Sequence, residues 1–260
     1  MNNFGDSIRR WRKSRGLSQL ALGFQANISS KHISFLETGR SNPSREMVIQ
    51  LSNALDIPLS ERNVLLTMAG FAEAYSRMNI DQPEMRSVRE ALSIMLQGHE
   101  PFPALVLDWD WNTVMANDAH CRLVAAIVPN PESLPQTRNI MELLFDPNGF
   151  RPYIENWDEV AYLLIQRLQR ERLLYQDRQS DLLERIMRYP GVPTHWHAQG
   201  VKASEPMAYV ILKAGDMRLK LFSTLASFGT AIDVTMQELI VEQYFPVDKQ
   251  TRNFFERLSE

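Results

Sequence analysis

The sequence predicts an α+β protein in two parts, and three observations carry that prediction. Residues 1–71 hold short apolar stripes at helical spacing, separated by Gly, Ser and Pro. From Pro101 onward, short apolar runs with strand alternation are interleaved with helical stretches. The charge also changes sign: residues 1–70 have nine Lys/Arg against five acids, net +4, and the rest has 19 against 26, net −7.

At 260 residues and 44% hydrophobic, the chain is long enough for two ordinary domains and too apolar for a mainly disordered one. Its single cysteine, Cys121, excludes an internal disulfide and fits a reducing compartment; its apolar neighbours suggest a buried small side chain. Charged or turn residues interrupt every stretch long enough to span a bilayer, and the N-terminus lacks an apolar leader region. A soluble cytoplasmic protein is expected.

In the first part, Phe4, Ile8 and Trp11 form one stripe that ends at Gly16. The stretch SQLALGFQANISSKHISFLETGR (18–40) breaks its helical pattern at Asn27, a residue that tolerates the left-handed conformation, and restarts at Ser29, a helix cap. Two short helices crossing at a tight turn follow, with Gly23 where the axes approach. Ile33 and Leu36 face inward, His32 with them, while Lys31, Ser34, Phe35 and Thr38 share the outer face. Ser44 caps a fourth helix with Met47, Val48 and Leu51 inward; Pro58 ends it, and Ser60 begins a fifth that runs to Gly70. Five cations between Arg9 and Arg15 beside this motif favour contact with a polyanionic backbone.

This pattern resembles the helix-turn-helix of the XRE (lambda-repressor-like) family, with Gln19 as its first position, Gly in place of the usual Ala at 23 and Asn in place of the usual Gly at 27. The resemblance implies double-stranded DNA as partner. It places Gln19 at the groove edge and points Ser30, Lys31, Ser34 and Phe35 at base edges; Ser29, Arg40, Asn42 and Ser44 are candidates for phosphates. A homodimer is expected, because two such units reading adjacent half-sites gain affinity and specificity.

Residues 72–98 read as a hinge and linking helix, with Met85, Val88, Leu92, Met95 and Leu96 as its apolar stripe. Residues 99–260 form the second domain. Strands are predicted at 104–107 and 113–115, then a helix opening near Asn117; a hairpin at 208–212 and 217–223 turns at Ala214-Gly215-Asp216, and LASF and ELIVEQYF add further strand. A long helix carries Trp157, Val160, Ala161, Leu164 and Leu168, and a second spans 179–189. The expectation is a mixed sheet with helices between its strands. Two strands running into a helix with Asn at its start resemble the opening of a PAS sensor domain.

The runs DWDWNTVMAN, DPNGFRPYIENWDEVA, YPGVPTHW and LFSTLASFGTAIDVTMQELIVEQYFPVD, in that order, resemble the MmyB-like ligand-binding domain found behind an XRE helix-turn-helix. That implies a transcriptional regulator whose PAS-like second domain holds a small apolar effector of fatty-acid or acyl type, with no other cofactor. Candidate lining residues are Phe145, Phe150, Tyr153, Trp157, Val160, Leu164, Phe222 and Phe228, with Arg151 as a partner for a carboxylate head group.

His195 and His197 lie on one side of an extended segment without a third ligand at a suggestive spacing, so no metal site is expected. Thr235 and Glu238 have capping-box spacing, and Asp233 suits a turn. Nucleophile-elbow, phosphate-loop and dinucleotide signatures are missing from the sequence, and no catalytic residues are assigned. Two alternatives stand beside the regulator: an enzyme with an accessory DNA-binding domain, which turnover of a small molecule would reveal, and a protein-interaction module, which a second domain too tightly packed to hold a ligand would favour.

Overall fold

Asn3 opens the first helix, α1 (Phe4–Ser14), its side-chain oxygen accepting from the Asp6 N–H. The computed structural model describes residues 3–174, 180–192 and 207–259. Phe4, Ile8 and Trp11 are buried along one side of α1, as their spacing predicts. Four helices follow: α2 (Gln19–Gln25), α3 (Ser30–Glu37), α4 (Arg45–Ala54) and α5 (Leu59–Met68). Leu22, Ile33, Leu36, Val48, Leu51 and Leu65 close a core between them.

Serine hydroxyls start three of these helices, Ser18, Ser29 and Ser44 accepting from the N–H groups of Ala21, His32 and Met47. The fifth helix departs from expectation. It begins at Leu59, with Ser60 buried inside its first turn, and Pro58 at the cap position contributes no side-chain bond. The Leu59 N–H donates instead to Gln237 Oε1 at 2.6 Å, a partner 178 residues away that no local pattern reveals.

The chain divides into two compact units. The first takes Met1–Met78 and, from far along the sequence, Thr230–Gln237. Asp233 ties that late segment in. Its carboxylate accepts from the Ser76 hydroxyl (2.7 Å) and the Met78 N–H, and from the N–H groups of Thr235 and Met236 at the start of α11 (Val234–Glu238). Asp233, rather than a Thr235 capping box, therefore starts that helix.

The second unit begins at Asn79, so the helix expected to link the domains, α6 (Arg86–Gln97), belongs to it. Its sheet has five strands: β1 (Ala104–Leu107), β2 (Thr113–Ala116), β3 (Val210–Ala214), β4 (Met217–Ser227) and β5 (Ile240–Pro246), in the order β2-β1-β5-β4-β3. Every neighbouring pair is antiparallel, which corrects the mixed sheet expected from sequence. The intervening helices carry the chain from β2 at one edge to β3 at the other, so they create no parallel neighbours.

Both faces of β1 are covered, which is why ALVL is apolar throughout. Ala104 and Val106 pack with Leu92 and Leu96 of α6; Leu105 and Leu107 face the larger core. That core gathers α7 (Asp118–Ile127), α8 (Ile140–Phe145), α9 (Trp157–Leu174) and α10 (Leu182–Ile186), the last shorter than its predicted span. A final helix, α12 (Lys249–Leu258), was not anticipated; Asp248 caps it and it buries Phe255.

Asn117 fixes the corner between β2 and α7, as the sequence suggested. Its Oδ1 accepts from the N–H groups of Ala104 and His120, and its Nδ2 donates to the Phe102 carbonyl, so the buried amide is satisfied on both sides. Cys121, one turn into α7, is exposed and not the buried side chain expected, because the buried face of that helix is set by Ala119, Leu123 and Ile127.

Candidate functional site

The turn between α2 and α3 has the geometry its residues require. Asn27 has φ 48°, and a Cβ added to Gly23 would lie 2.6 Å from the Ile28 carbonyl oxygen. Ile33 and Leu36 are fully buried, which turns the opposite side of α3 outward: Lys31 is exposed, Ser34 and Phe35 are half-buried, and the Lys31 ammonium stands 5.7 Å from the Phe35 ring centre. His32 packs inward as expected, its Nε2 3.2 Å from Met47 Sδ.

The other residues expected to meet DNA lie around that face with differing freedom. Ser29 and Ser44 accept backbone N–H bonds, which leaves each hydroxyl proton available to donate. Arg40 and Asn42 are exposed in the turn after α3, and Ser30 is half-buried in its first turn. Gln19 is less free. Its Nε2 donates to Glu37 Oε2 at 2.9 Å, which commits one of its two amide N–H donors and leaves the other and the carbonyl oxygen.

The run of cations on α1 is divided in its duties, which corrects the reading of all five as backbone contacts. Arg12 is buried against Glu37. Arg15 donates to the Leu55 and Asp56 carbonyls at the end of α4 and stacks on Trp11, and Arg10 bonds the Ser7 hydroxyl. Arg9 and Lys13 are exposed.

The second unit contains a cavity of about 210 Å³, lined by α7, α8, α9 and the inner face of the sheet. Its walls are mainly aliphatic and aromatic, among them Leu123, Ile127, Leu163, Leu164, Val210 and Phe222. Four of the nine residues expected to line a ligand line this cavity: Phe150, Val160, Leu164 and Phe222.

The other five are placed elsewhere. Phe145 is fully buried, edge-on to Trp157 with ring centres 5.0 Å apart. Arg151 bonds the Pro190 and Gly191 carbonyls and covers the Trp157 ring at 4.8 Å, which withdraws both from the cavity. Tyr153 packs on the outside of the same core, and Phe228 lies with Leu92 and Val241 on the opposite face of the sheet. Sequence spacing identified an aromatic cluster; the turn around Arg151–Tyr153 directs half of it into packing.

The cavity's polar groups were missed. They are Trp111, His120, Arg167, Tyr209, Ser223, Glu242 and Tyr244. Trp111 has φ 66°, a strained value for a bulky residue; it is held by its indole N–H to Glu171 and by Arg167 over its ring at 4.5 Å. Burial lowers the His120 pKa to about 4. Burial raises that of Glu242, against the opposing effect of hydrogen bonds from Ser223 and Tyr244 and the charge of Arg167. Burial, with the adjacent Glu242, raises Tyr244 strongly. The signal was present in ELIVEQYF: on a strand whose Leu239 and Val241 face one side, Glu242 must face the other, and a carboxylate inside a sheet needs a reason.

Among the described residues no three His, Cys, Asp or Glu side chains group as metal ligands, and His195 and His197 lie outside those residues. No helix among the described residues is long and apolar enough to cross a membrane.

A helix-turn-helix whose second helix exposes Lys31, followed along the chain by a cavity-bearing sheet domain, defines a DNA-binding transcription regulator with a ligand-binding domain. Residues 8–62 match the helix-turn-helix family, and residues 88–258, well over half the chain, match the MmyB-like transcription regulator ligand binding domain. The chain belongs to the MmyB-like transcription regulators, with a helix-turn-helix of the XRE type. No curated protein matches it.

Proposed function

We propose that the protein reads an operator with α3, as a cytoplasmic homodimer, and that a small, largely apolar effector in the cavity of the second unit sets its affinity for that operator. The observation that carries the reading is the outer face of α3, where Lys31 is exposed beside Phe35 while Ile33 and Leu36 fill the core. In this reading Lys31 donates to guanine N7 or O6, Phe35 packs on a thymine methyl, Ser30 and Ser34 meet neighbouring bases, and Gln19, Ser29, Arg40, Asn42 and Ser44 hold phosphates.

The strand order β2-β1-β5-β4-β3, with all helices between β2 and β3 gathered over one face, supports the PAS-like reading of the second unit. The cavity suits an aliphatic or acyl chain, fatty acids being the members of that class the family resemblance brings. At about 210 Å³ it has room for roughly seven waters, and so for a short chain. The activity is binding rather than catalysis.

The chain path supplies a means of coupling. Between β4 and β5, both of which line the cavity, it passes through Thr230–Gln237, which is part of the first unit and bonds to Leu59 and Ser76 there. An effector that changes the spacing of β4 and β5 biases how that segment is held, and shifts DNA affinity by its preference for one arrangement.

The test is selection of DNA sites from a random pool by the full-length protein, then titration of the selected site with and without short-chain acyl and alkyl compounds. A palindromic site bound by a dimer, with affinity changed by a compound and unaffected by it in Leu164→Trp, is expected. Recovery of no enriched sequence refutes the operator reading.

A further inference from the structure

The walls of the cavity are apolar, but its floor on the sheet is not. Glu242 lies on β5, the central strand, paired across to Leu105 on β1 and Leu225 on β4, so its carboxyl emerges in an aliphatic surface. Among the described residues, the hydroxyls of Ser223 and Tyr244 hydrogen-bond to it. A half-buried acid in such a setting is costly without a partner of opposite charge, and here its open side faces the cavity.

The other ionisable groups lining the cavity do not supply a hydrogen-bonded partner of that charge. Arg167, on α9, places its Nε 3.0 Å from Glu171 Oε1 and its guanidinium over Trp111, so it acts on Glu242 only through its charge and makes its hydrogen bond to the other acid. His120, on α7, is neutral at ordinary pH because burial lowers its pKa to about 4. Tyr209 and Tyr244 add phenol groups to the lining, and burial with the adjacent Glu242 raises the pKa of Tyr244 strongly.

We propose that Glu242, held by Ser223 and Tyr244, is the anchor for a cationic amine head group, and that the effector is a short amphiphilic amine. This rests on the reading of the cavity as the effector site. An ammonium brings three donors to a carboxylate and two hydroxyl oxygens, and its charge gives Glu242 a hydrogen-bonded cation that it lacks among the described residues. A carboxylate head in the same place would face a second acid. The free fatty acid that family resemblance suggests therefore has the wrong head for this chain, while the tail fits either.

The experiment compares hexylamine, hexanol and hexanoate, three probes with one tail, by calorimetric titration into the full-length protein. Hexylamine is expected to bind about tenfold more tightly than hexanol, the difference a charge-assisted hydrogen bond makes, with hexanoate weakest. In Glu242→Gln the amine should fall to the level of the alcohol. If that variant does not fold, Tyr244→Phe, which removes one hydroxyl, must shift the preference the same way.

Hexanoate binding as tightly as hexylamine, or an amine preference unchanged in both variants, overturns the head-group assignment. If hexanol or hexanoate binds and Leu164→Trp abolishes it, the effector cavity survives while the amine inference fails. If none of the three binds, both fall.

Discussion

Arg12 grips Glu37 with two prongs, Nε to Oε1 at 2.5 Å and Nη2 to Oε2 at 2.9 Å, and Gln19 reaches the same carboxylate. One buried acid thus ties α1, α2 and α3 together, and Arg12 Nη1 also donates to the Leu17 carbonyl. From sequence, Arg12 belonged with the phosphate-binding cations; its burial makes it a structural residue. Removing one partner of a buried ion pair leaves the other uncompensated, so Arg12→Ala should destabilise the first unit by about 3 kcal/mol in urea unfolding. DNA binding should be lost with folding and recover in conditions that restore it. Burial raises the Glu37 pKa, but the hydrogen bonds from Arg12 and Gln19 outweigh it and hold the carboxyl below its usual value. That contribution is complete above the ordinary carboxylate range and disappears as pH falls through the lowered value. Unchanged stability in Arg12→Ala would mean the pair contributes nothing.

Lys31 and Arg9 should fail in different ways. Lys31 is exposed on the outward side of α3, where a long cation suits a base edge; Arg9 is exposed on α1, where it suits phosphate. Lys31→Ala should relax the preference at one operator position by about 1–3 kcal/mol and leave the rest intact. Arg9→Ala should weaken selected and random DNA alike and reduce the slope of log affinity against log salt by about 1. Fluorescence titrations of both variants on matched and mutated operators separate the two. Equal losses on selected and random DNA for Lys31→Ala would remove it from base reading.

Most of this fold was legible because its signals are local. Asn27, Ser29 and Ser44 act within three residues of the N–H groups they satisfy or the turn they close, as does Asn117 in capping α7 at His120, and each does what its residue type predicts. The Leu59 start of α5 depends on Gln237, and the burial of Arg12 depends on Glu37 across 25 positions; neither is a pattern in a window of sequence. The cavity shows the same division. Helical spacing placed Val160 and Leu164 on a buried stripe, and both line it. Phe145 and Trp157 have equally apolar spacing but pack on each other, a choice made by the turn at Phe150–Ile154 and not by their own periodicity.

Asp233 and Gln237 carry the attachment of Thr230–Gln237 within the first unit. Gln237→Ala leaves the Leu59 N–H without its acceptor at the start of α5 and should cost about 1 kcal/mol. Asp233→Ala removes an acceptor from four donors at once and should cost more, about 2–3 kcal/mol. Hydrogen exchange provides the measurement: amides at the start of α5 should lose protection in Gln237→Ala, and those of 76–78 and α11 in Asp233→Ala. If that segment couples effector to operator, the Asp233 variant should also bind DNA with an affinity the effector no longer changes. Full protection in both variants would show that these bonds do not hold the segment.

His120 sets the acid limit of the second unit. It lines the cavity on α7, where burial lowers its pKa from 6.5 to about 4. The unfolded chain therefore takes up a proton in that interval while the folded chain does not, and stability declines as pH falls from 6.5 toward 4. The full loss, reached below the lower value, is roughly 3 kcal/mol. Glu242 moves the other way: its raised pKa means the folded state accepts a proton more readily than the unfolded, so acid relieves part of its burial. The two effects overlap in a single profile, and a variant separates them. Unfolding of His120→Gln and of the unaltered protein, measured from pH 7 to 4, should give curves that diverge below pH 6.5, the variant losing less because Gln carries no proton to bury. Parallel curves would place the His120 ring in contact with water and end its role as a buried wall of the cavity.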